Sequence, residues 1–279
     1  MTSASAEVSE VGSRSSHGIR DTPELQLRVH GSDALPTLLH LPGLHGDWTL
    51  LGPFRRALAG RARLVETTYP REPGWTLANY ARAITKGLVE LGIERCWILG
   101  ESFSSQVAWE LLRPQANRPE VTGLILVGGF IRHPWPWGVK LAHRVSCRFP
   151  HWVLRRACSC YAWLARKRCP NSESTAELEE FVARRITSLD RVALNSRYQL
   201  IADNDPSSIA RATTLPVFQL SGAWDPLVPW WQVRPWLRRH CPGYVASRIV
   251  WSGSHNVLMS SPAACADQIL GWLAALRRG

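Results

Sequence analysis

The sequence predicts an α/β protein built on a mostly parallel sheet that is flanked by helices. The first observation is a set of short segments that are apolar at nearly every position, as expected for strands buried on both faces. The second is that longer segments with helical periodicity separate these strands, which indicates a sheet covered by helices on both sides. The predicted strands are PTLLHLPG (36–43), ARLVETTYP (62–70), CWILGES (96–102), VTGLILVGGF (121–130), LPVFQLSG (215–222) and YVASRIVWSG (244–253).

Helices are predicted where apolar residues recur at helical spacing. Thr76 is a plausible N-cap for one of them, because a threonine side chain can accept from free backbone N–H groups. Gly60 is placed to stop another. The predicted helices are 49–60, 76–92, 104–115 and 261–276.

The strand–helix alternation stops between residues 131 and 210, which we interpret as a mostly helical insertion. Its first half, 131–170, contains no Asp or Glu, and its arginines and lysines are interleaved with tryptophans. Most of the net charge of +11 lies here. The predicted organisation is a tail at 1–22, a core at 23–130, the insertion at 131–210 and a second part of the core at 211–279.

Length and composition predict an intracellular protein. A chain of 279 residues buries enough surface to need no disulfide framework, and its odd number of cysteines, seven, favours reduced thiols. The polar residues 1–22 are typical of a disordered tail rather than a secretory signal. No segment approaches the roughly 18 apolar residues that span a bilayer. We therefore expect a cytoplasmic location.

Neither nucleic acid nor a metal is an expected partner. The charge is carried almost entirely by arginine, and no nucleic-acid-binding module is present. Cys158, Cys160 and Cys169 lie close in sequence, but they lack the C-x-x-C pair of a structural zinc site. We expect no metal and no cofactor.

The segment LGESFSSQ (99–106) is typical of a turn that presents a nucleophilic serine between a strand and a helix. Residues two before and two after the nucleophile must be small. Gly100 satisfies this for Ser102, and Ser104 stands where a glycine is common. Ser104 would begin the next helix, where a serine can cap backbone N–H groups. Ser105 lies further along that helix.

A serine needs a base, and the base needs an orienting acid. Asp225 follows one predicted strand in SGAWDPLVP, and His255 follows the last one in SGSHNVLMSSP. Alone, each also fits a plainer role: Asp225 as an Asp-Pro turn residue and His255 as a solvated loop residue. Because Ser102, Asp225 and His255 all follow parallel strands, we expect them at the same edge of the sheet, where ligands bind in open α/β folds.

The early segment HLPGLHGDW (40–48) also follows a strand directly. A serine hydrolase needs two backbone N–H donors for the developing oxyanion, one after the nucleophile and one from such a loop. Phe103 and Leu44 are the candidates. His40 and His45 are rival bases, but neither occupies the late position that follows the last strand.

With these motifs the chain resembles the α/β-hydrolase superfamily from about residue 36 to residue 278. Ser254 replaces the second glycine of a Gly-Gly-His segment that is frequent there, and the early loop begins Pro-Gly rather than His-Gly. The resemblance implies Ser102 as nucleophile, His255 as general base and acid, and Asp225 as the orienting acid. It also implies an oxyanion hole from Leu44 and Phe103, and it accounts for the insertion as a helical lid.

The predicted function is a serine hydrolase that cleaves a small-molecule carboxylic ester or thioester through an acyl-enzyme. An acyltransferase using the same residues, and a non-catalytic protein that binds a ligand or a membrane, remain alternatives. The tryptophans and arginines of 131–210 fit an acyl chain with an anionic head group, or contact with an anionic membrane. They equally fit a lid whose tryptophans pack inward while its arginines face solvent.

Overall fold

Seven strands form one sheet in the order β1-β3-β2-β4-β5-β6-β7, and all pair in parallel except β1, which is antiparallel to β3. The computed structural model describes residues 25–114, 118–148 and 187–276, with isolated positions between 152 and 181. The strands are β1 (Gln26–His30), β2 (Thr37–Leu41), β3 (Arg63–Thr68), β4 (Arg95–Glu101), β5 (Glu120–Val127), β6 (Val217–Gly222) and β7 (Tyr244–Val250).

The six predicted strands are all present, and the mostly parallel sheet is confirmed. The sequence analysis missed β1. Its residues, QLRVH, alternate polar and apolar and are mostly half-buried, because β1 pairs with a neighbour on one side only. It therefore lacks the continuous apolar run that marks a central parallel strand.

Helices cover both faces of the sheet. They are α1 (Gly52–Leu58), α2 (Leu77–Glu90), α3 (Ser104–Leu111), α4 (Pro136–Arg148), α5 (Ser188–Asp203), α6 (Ser207–Ala212), α7 (Trp230–His240), α8 (Val257–Ser260) and α9 (Pro262–Leu276). Thr76 caps α2 as predicted, accepting from the Asn79 N–H at 3.2 Å. The sequence analysis assigned no helix at α7, whose interior contains Pro235.

Two apolar layers hold the sheet between the helices. One layer includes Tyr80 and Ile84 of α2 with Trp109 of α3, all fully buried. The other includes Phe54 of α1 and Ile269 of α9 on the opposite face. This arrangement fixes the carboxyl ends of β4, β6 and β7 at one edge of the molecule.

Helices α4, α5 and α6 lie in the described part of 131–210, and within the described residues of this interval there is no strand. Gln106 of α3 joins both ends of the interval. Its Nε2 donates to the Ile131 carbonyl at 2.7 Å, and its Oε1 accepts from Asn204 at 2.8 Å. The predicted tail at 1–22 and most of 149–186 lie outside the described residues. The domain boundaries stay predictions.

No helix among the described residues is both long and apolar enough to cross a bilayer.

Candidate active site

Ser102 lies in the turn between β4 and α3 with a φ of 48°, and no other described residue apart from glycines has a positive φ. This left-handed conformation is costly for a residue with a Cβ, so the surrounding structure must hold it. The Ser102 N–H donates to the Val127 carbonyl at 2.9 Å. A Cβ at Gly100 would lie 3.0 Å from the Ala108 Cβ, so glycine lets the turn close without displacing its neighbours.

Three side chains from three strand ends meet at this turn. The His255 Nε2 lies 2.9 Å from the Ser102 Oγ, and the His255 Nδ1 lies 2.8 Å from the Asp225 Oδ2. Ser102 follows β4, Asp225 follows β6 and His255 follows β7. The structure thus brings together the serine, acid and histidine that the sequence placed at one edge.

Asp225 is held in place from its other side. Its Oδ1 accepts from the backbone N–H groups of Leu227 at 2.8 Å and Val228 at 2.9 Å. The residue is buried, and both of its oxygens are occupied. Asp225 therefore forms the local turn that the plainer interpretation gave it and also orients the His255 ring.

The loop 42–46 lies beside Ser102, since a Cβ at Gly43 would be 3.8 Å from the Ser102 Cβ. Its carbonyls are bonded away from the serine. The Gly43 carbonyl accepts from the Gly46 N–H at 2.9 Å, and the Gly46 carbonyl accepts from the Tyr69 N–H at 2.8 Å. In the described part of the chain, neither the Leu44 nor the Phe103 N–H donates to another protein group.

Ser104 contributes to this loop rather than to a helix cap. The N-cap of α3 is Phe103, which makes no capping hydrogen bond with its side chain, so the predicted capping role of Ser104 is wrong. The Ser104 hydroxyl instead donates to the Pro42 carbonyl and lies 2.6 Å from the Tyr69 hydroxyl. Because a carbonyl can only accept, the Tyr69 hydroxyl must be the donor to Ser104. Burial raises the pKa of Tyr69 and keeps it protonated.

Ser105 has a structural environment of its own. Its hydroxyl donates to the Ser102 carbonyl at 2.7 Å and accepts from the Phe130 N–H at 3.1 Å. These two hydrogen bonds join the turn at Ser102 to the backbone at Phe130. Ser105 has no histidine partner among the described residues.

Arg197 of α5 supports the loop 42–46, and the sequence analysis did not predict this role. It is buried and donates to the Leu44 carbonyl at 2.8 Å, the Pro70 carbonyl at 3.0 Å and the Tyr80 hydroxyl at 3.2 Å. A Cβ at Gly46 would lie 2.5 Å from its Nη1, so glycine makes room for the guanidinium. An arginine in a basic insertion carries no local sequence signal for this contact.

The rival histidines point elsewhere. The His40 Nε2 lies 3.0 Å from the Glu101 Oε2, in the interior of the molecule. The His45 ring packs edge-on against Phe181, with ring centroids 4.8 Å apart. Neither occupies the position that His255 holds against Ser102.

Solved structures resemble the whole arrangement of sheet and helices. An esterase from Thermogutta terrifontis matches with a TM-score of 0.69 and 22% identity over 90% of this chain and 93% of that chain. An enol-lactonase from Burkholderia xenovorans matches with a TM-score of 0.73 and 18% identity over 90% and 96%. A bromoperoxidase from Bacillus anthracis matches with a TM-score of 0.73 and 11% identity over 90% and 95%. This chain has the α/β-hydrolase fold. No protein-family model and no curated protein sequence matches it.

Within this α/β-hydrolase fold, His133 is a further titratable group close to the site. Burial lowers its pKa to about 4, and the proximity of His255 contributes to the shift. His133 is therefore neutral at pH 7, and it places no positive charge beside the His255 ring.

The α/β-hydrolase fold of this chain holds no group of three or more His, Cys, Asp or Glu side chains arranged for a metal within its described residues. Of the three cysteines weighed for zinc, Cys160 is exposed, and Cys158 and Cys169 lie outside the described residues. Burial raises the pKa of Cys96 and that of Cys265 to about 12, so these thiols are not nucleophiles at neutral pH.

Proposed function

We propose that this protein is a serine hydrolase that cleaves a carboxylic ester or thioester through an acyl-enzyme intermediate. The observation that carries the proposal is the hydrogen-bonded chain from Asp225 through His255 to Ser102, with distances of 2.8 and 2.9 Å. It ends on a serine whose left-handed backbone presents the hydroxyl at the edge of the sheet. A histidine with a serine on one nitrogen and a carboxylate on the other is the arrangement that activates a hydroxyl.

In the acylation step, the Asp225 carboxylate accepts from the His255 Nδ1–H and so leaves Nε2 unprotonated. Nε2 takes the Ser102 proton as Oγ attacks the substrate carbonyl carbon, and a tetrahedral oxyanion forms. The N–H groups of Leu44 and Phe103 donate to that oxyanion. His255 then gives its proton to the leaving alcohol or thiol, and the acyl group remains on Ser102.

In the deacylation step, a water molecule loses a proton to the His255 Nε2 and attacks the acyl carbon. The second tetrahedral intermediate collapses, the carboxylic acid leaves, and the proton returns from His255 to the Ser102 Oγ. No step requires a metal or an organic cofactor. An acyltransferase would use the same groups, with an alcohol or amine in place of water.

The bonded carbonyls of the 42–46 loop support this assignment of donors. The Pro42 and Leu44 carbonyls are held by Ser104 and Arg197, and the Leu44 N–H has no acceptor among the described residues. Preorganised donors of this kind are each worth about 3 to 4 kcal/mol of transition-state stabilisation. The esterase and enol-lactonase of similar fold also make ester cleavage the reaction to test first.

A fluorophosphonate probe on the purified protein tests the proposal. We expect rapid labelling of the wild type, none of Ser102→Ala, and wild-type labelling of Ser252→Ala. Ser252 is a matched serine of the His255 loop, and its Oγ lies 3.1 Å from the Ser261 Oγ, away from the site. Absence of labelling in the wild type, or undiminished labelling of Ser102→Ala, would exclude Ser102 as the nucleophile and favour a non-catalytic binding protein.

The leaving group is resolved by a matched panel of oxyesters and thioesters with the same acyl chains. Product analysis with a competing alcohol separates hydrolysis from transfer. Accumulation of the transferred ester in preference to the free acid would replace the hydrolase assignment with the acyltransferase one.

A further inference from the structure

Four large apolar side chains are exposed around the turns that carry Asp225 and follow β7. We name them the tryptophan rim: Trp224 (76% exposed), Leu227 (54%), Trp231 (50%) and Trp251 (74%). Tryptophan is highly buried on average in folded proteins, so three tryptophans this exposed in one area are unusual. A clustered apolar surface of this kind marks an interaction site.

Backbone hydrogen bonds hold the rim together. The Ala223 N–H donates to the Val250 carbonyl at 2.9 Å, and the Trp224 N–H donates to the Gly253 carbonyl at 3.1 Å. These bonds place the turn after β6 beside the turn after β7. The rim therefore lies on the same carboxyl edge as Ser102 and His255.

The surroundings of the rim are strongly basic. Arg234 and Arg238 follow Trp231 by three and seven positions on α7, so they share its exposed helical face. Neither arginine forms an ion pair with any residue that the structure describes. The only acidic residue in 223–256 is Asp225, which is buried and bonded to His255.

Helix α4 presents a second surface of the same kind. It follows β5, the strand next to β6 in the sheet, so it also starts from the carboxyl edge. Its exposed side carries an apolar stripe and, next to it, a basic stripe. The apolar stripe is Trp137, Leu141 and Val145, and the basic stripe is Lys140, Arg144 and Arg148.

We propose that this edge docks on an anionic lipid bilayer through the tryptophan rim and the outer face of α4. Tryptophan rings are enriched at membrane interfaces, and arginines near the surface are attracted to anionic lipid headgroups. Exposed apolar area together with cationic charge is the combination that binds a protein reversibly to such a surface. The proposal extends the membrane contact predicted for 131–210 to residues outside that insertion.

A second copy of the chain fits this surface less well than a membrane. A symmetric dimer through the rim would bring Arg234 and Arg238 of one copy towards the same arginines of the other, and Asp225, the one acidic residue of 223–256, is buried and cannot offset them. An anionic bilayer supplies the missing negative charge. The docked protein would hold the edge of the sheet that carries Ser102 against the lipid surface.

Vesicle flotation tests the docking independently of catalysis when every protein carries Ser102→Ala, so that lipid cleavage cannot contribute. We expect binding to phosphatidylcholine vesicles that contain phosphatidylglycerol, and weak binding to phosphatidylcholine alone. Trp231→Ser with Trp251→Ser should lower the affinity about tenfold through lost apolar burial. Arg234→Ser with Arg238→Ser should lower it roughly thirtyfold, since each cation near the surface contributes about a factor of five.

Val245→Ser is the matched control, because Val245 is exposed at the opposite end of β7. It should bind vesicles like the parent protein, and the rim variants, made with Ser102 intact, should label normally with fluorophosphonate. Equal binding to both vesicle types, or binding that survives about 1 M salt, where the Debye length is about 3 Å, would contradict the docking model. No vesicle binding together with a dimer that Trp231→Ser and Trp251→Ser dissociate would assign the rim to self-association instead.

Discussion

Two histidine–carboxylate pairs in this molecule are nearly alike in geometry but differ in what surrounds them. His255 lies 2.8 Å from Asp225, and His30 lies 3.0 Å from Glu66. The other nitrogen of His255 faces Ser102, whereas Glu66 is also bonded by Arg28 and Arg55. A histidine that contacts a carboxylate is therefore not in itself a catalytic signature. The group that faces the second ring nitrogen of the histidine is what distinguishes the two pairs.

The Glu66 cluster is a structural ion-pair network on β3. Burial alone would raise the pKa of Glu66, but the hydrogen bond from His30 and the charges of Arg28 and Arg55 outweigh it and lower the pKa to about 2. Because this pKa is below the ordinary glutamate value of 4.5, the cluster stabilises the folded protein above pH 4.5, and this contribution is lost as the pH falls through 2.

The largest expected effect separates the two histidines by activity. His255→Ala should lower kcat by about 10⁶-fold, since loss of the base costs nearly as much as loss of the whole constellation. His30→Ala should change kcat by less than about threefold, as surface and edge substitutions cost little. Steady-state kinetics with an activated ester measures both. Equal losses in the two variants would mean that the activity does not depend on the Ser102–His255 contact.

The next effect separates the two carboxylates by stability. Glu66→Gln should lower the free energy of unfolding by about 3 kcal/mol at pH 7, because Arg28 and Arg55 lose their common partner. Urea denaturation followed by circular dichroism measures it, and the deficit should shrink between pH 4.5 and more acidic conditions. An unchanged urea midpoint at pH 7 would show that the cluster is not a stabilising network.

Much of the sheet and the three site side chains could be predicted from the sequence. The central strands could be predicted because burial on both faces demands continuous apolar runs. The positions of Ser102, Asp225 and His255 at strand ends followed from the parallel topology. Edge strand β1 and helix α7 were missed. Strand β1 is half-buried at the edge of the sheet and so tolerates polar residues. Pro235 argues against a helix in the sequence, but tertiary packing stabilises α7 around it.

The supports of the 42–46 loop could not be predicted, for a different reason. Arg197 and Leu44 are 153 positions apart, and the direction of a side chain in an insertion depends on how that insertion folds back. The Ser104 hydroxyl was assigned to the nearest backbone groups by local logic. It bonds instead to Pro42, 62 positions away, because the 42–46 loop lies over the start of α3.

The smallest expected effect tests that support. Ser104→Ala should lower kcat about tenfold with KM nearly unchanged, because a displaced Leu44 N–H weakens a contact made only in the transition state. The fraction of active protein is normalised by active-site titration, so partial unfolding cannot imitate the result. Arg55→Ser, which alters the Glu66 cluster instead, should leave kcat per active site unchanged. A rise in KM with constant kcat for Ser104→Ala would assign Ser104 to substrate binding.

Identification of the acylated residue tests the central claim most directly. An activated ester is mixed with the protein and quenched in acid during turnover, and peptide mass spectrometry then locates the acyl group. We predict an acyl ester on Ser102 in the wild type, with its amount rising in step with the early release of the leaving alcohol. An acyl group on Ser104, Ser105 or another residue, or undiminished turnover by Ser102→Ala, would contradict the account.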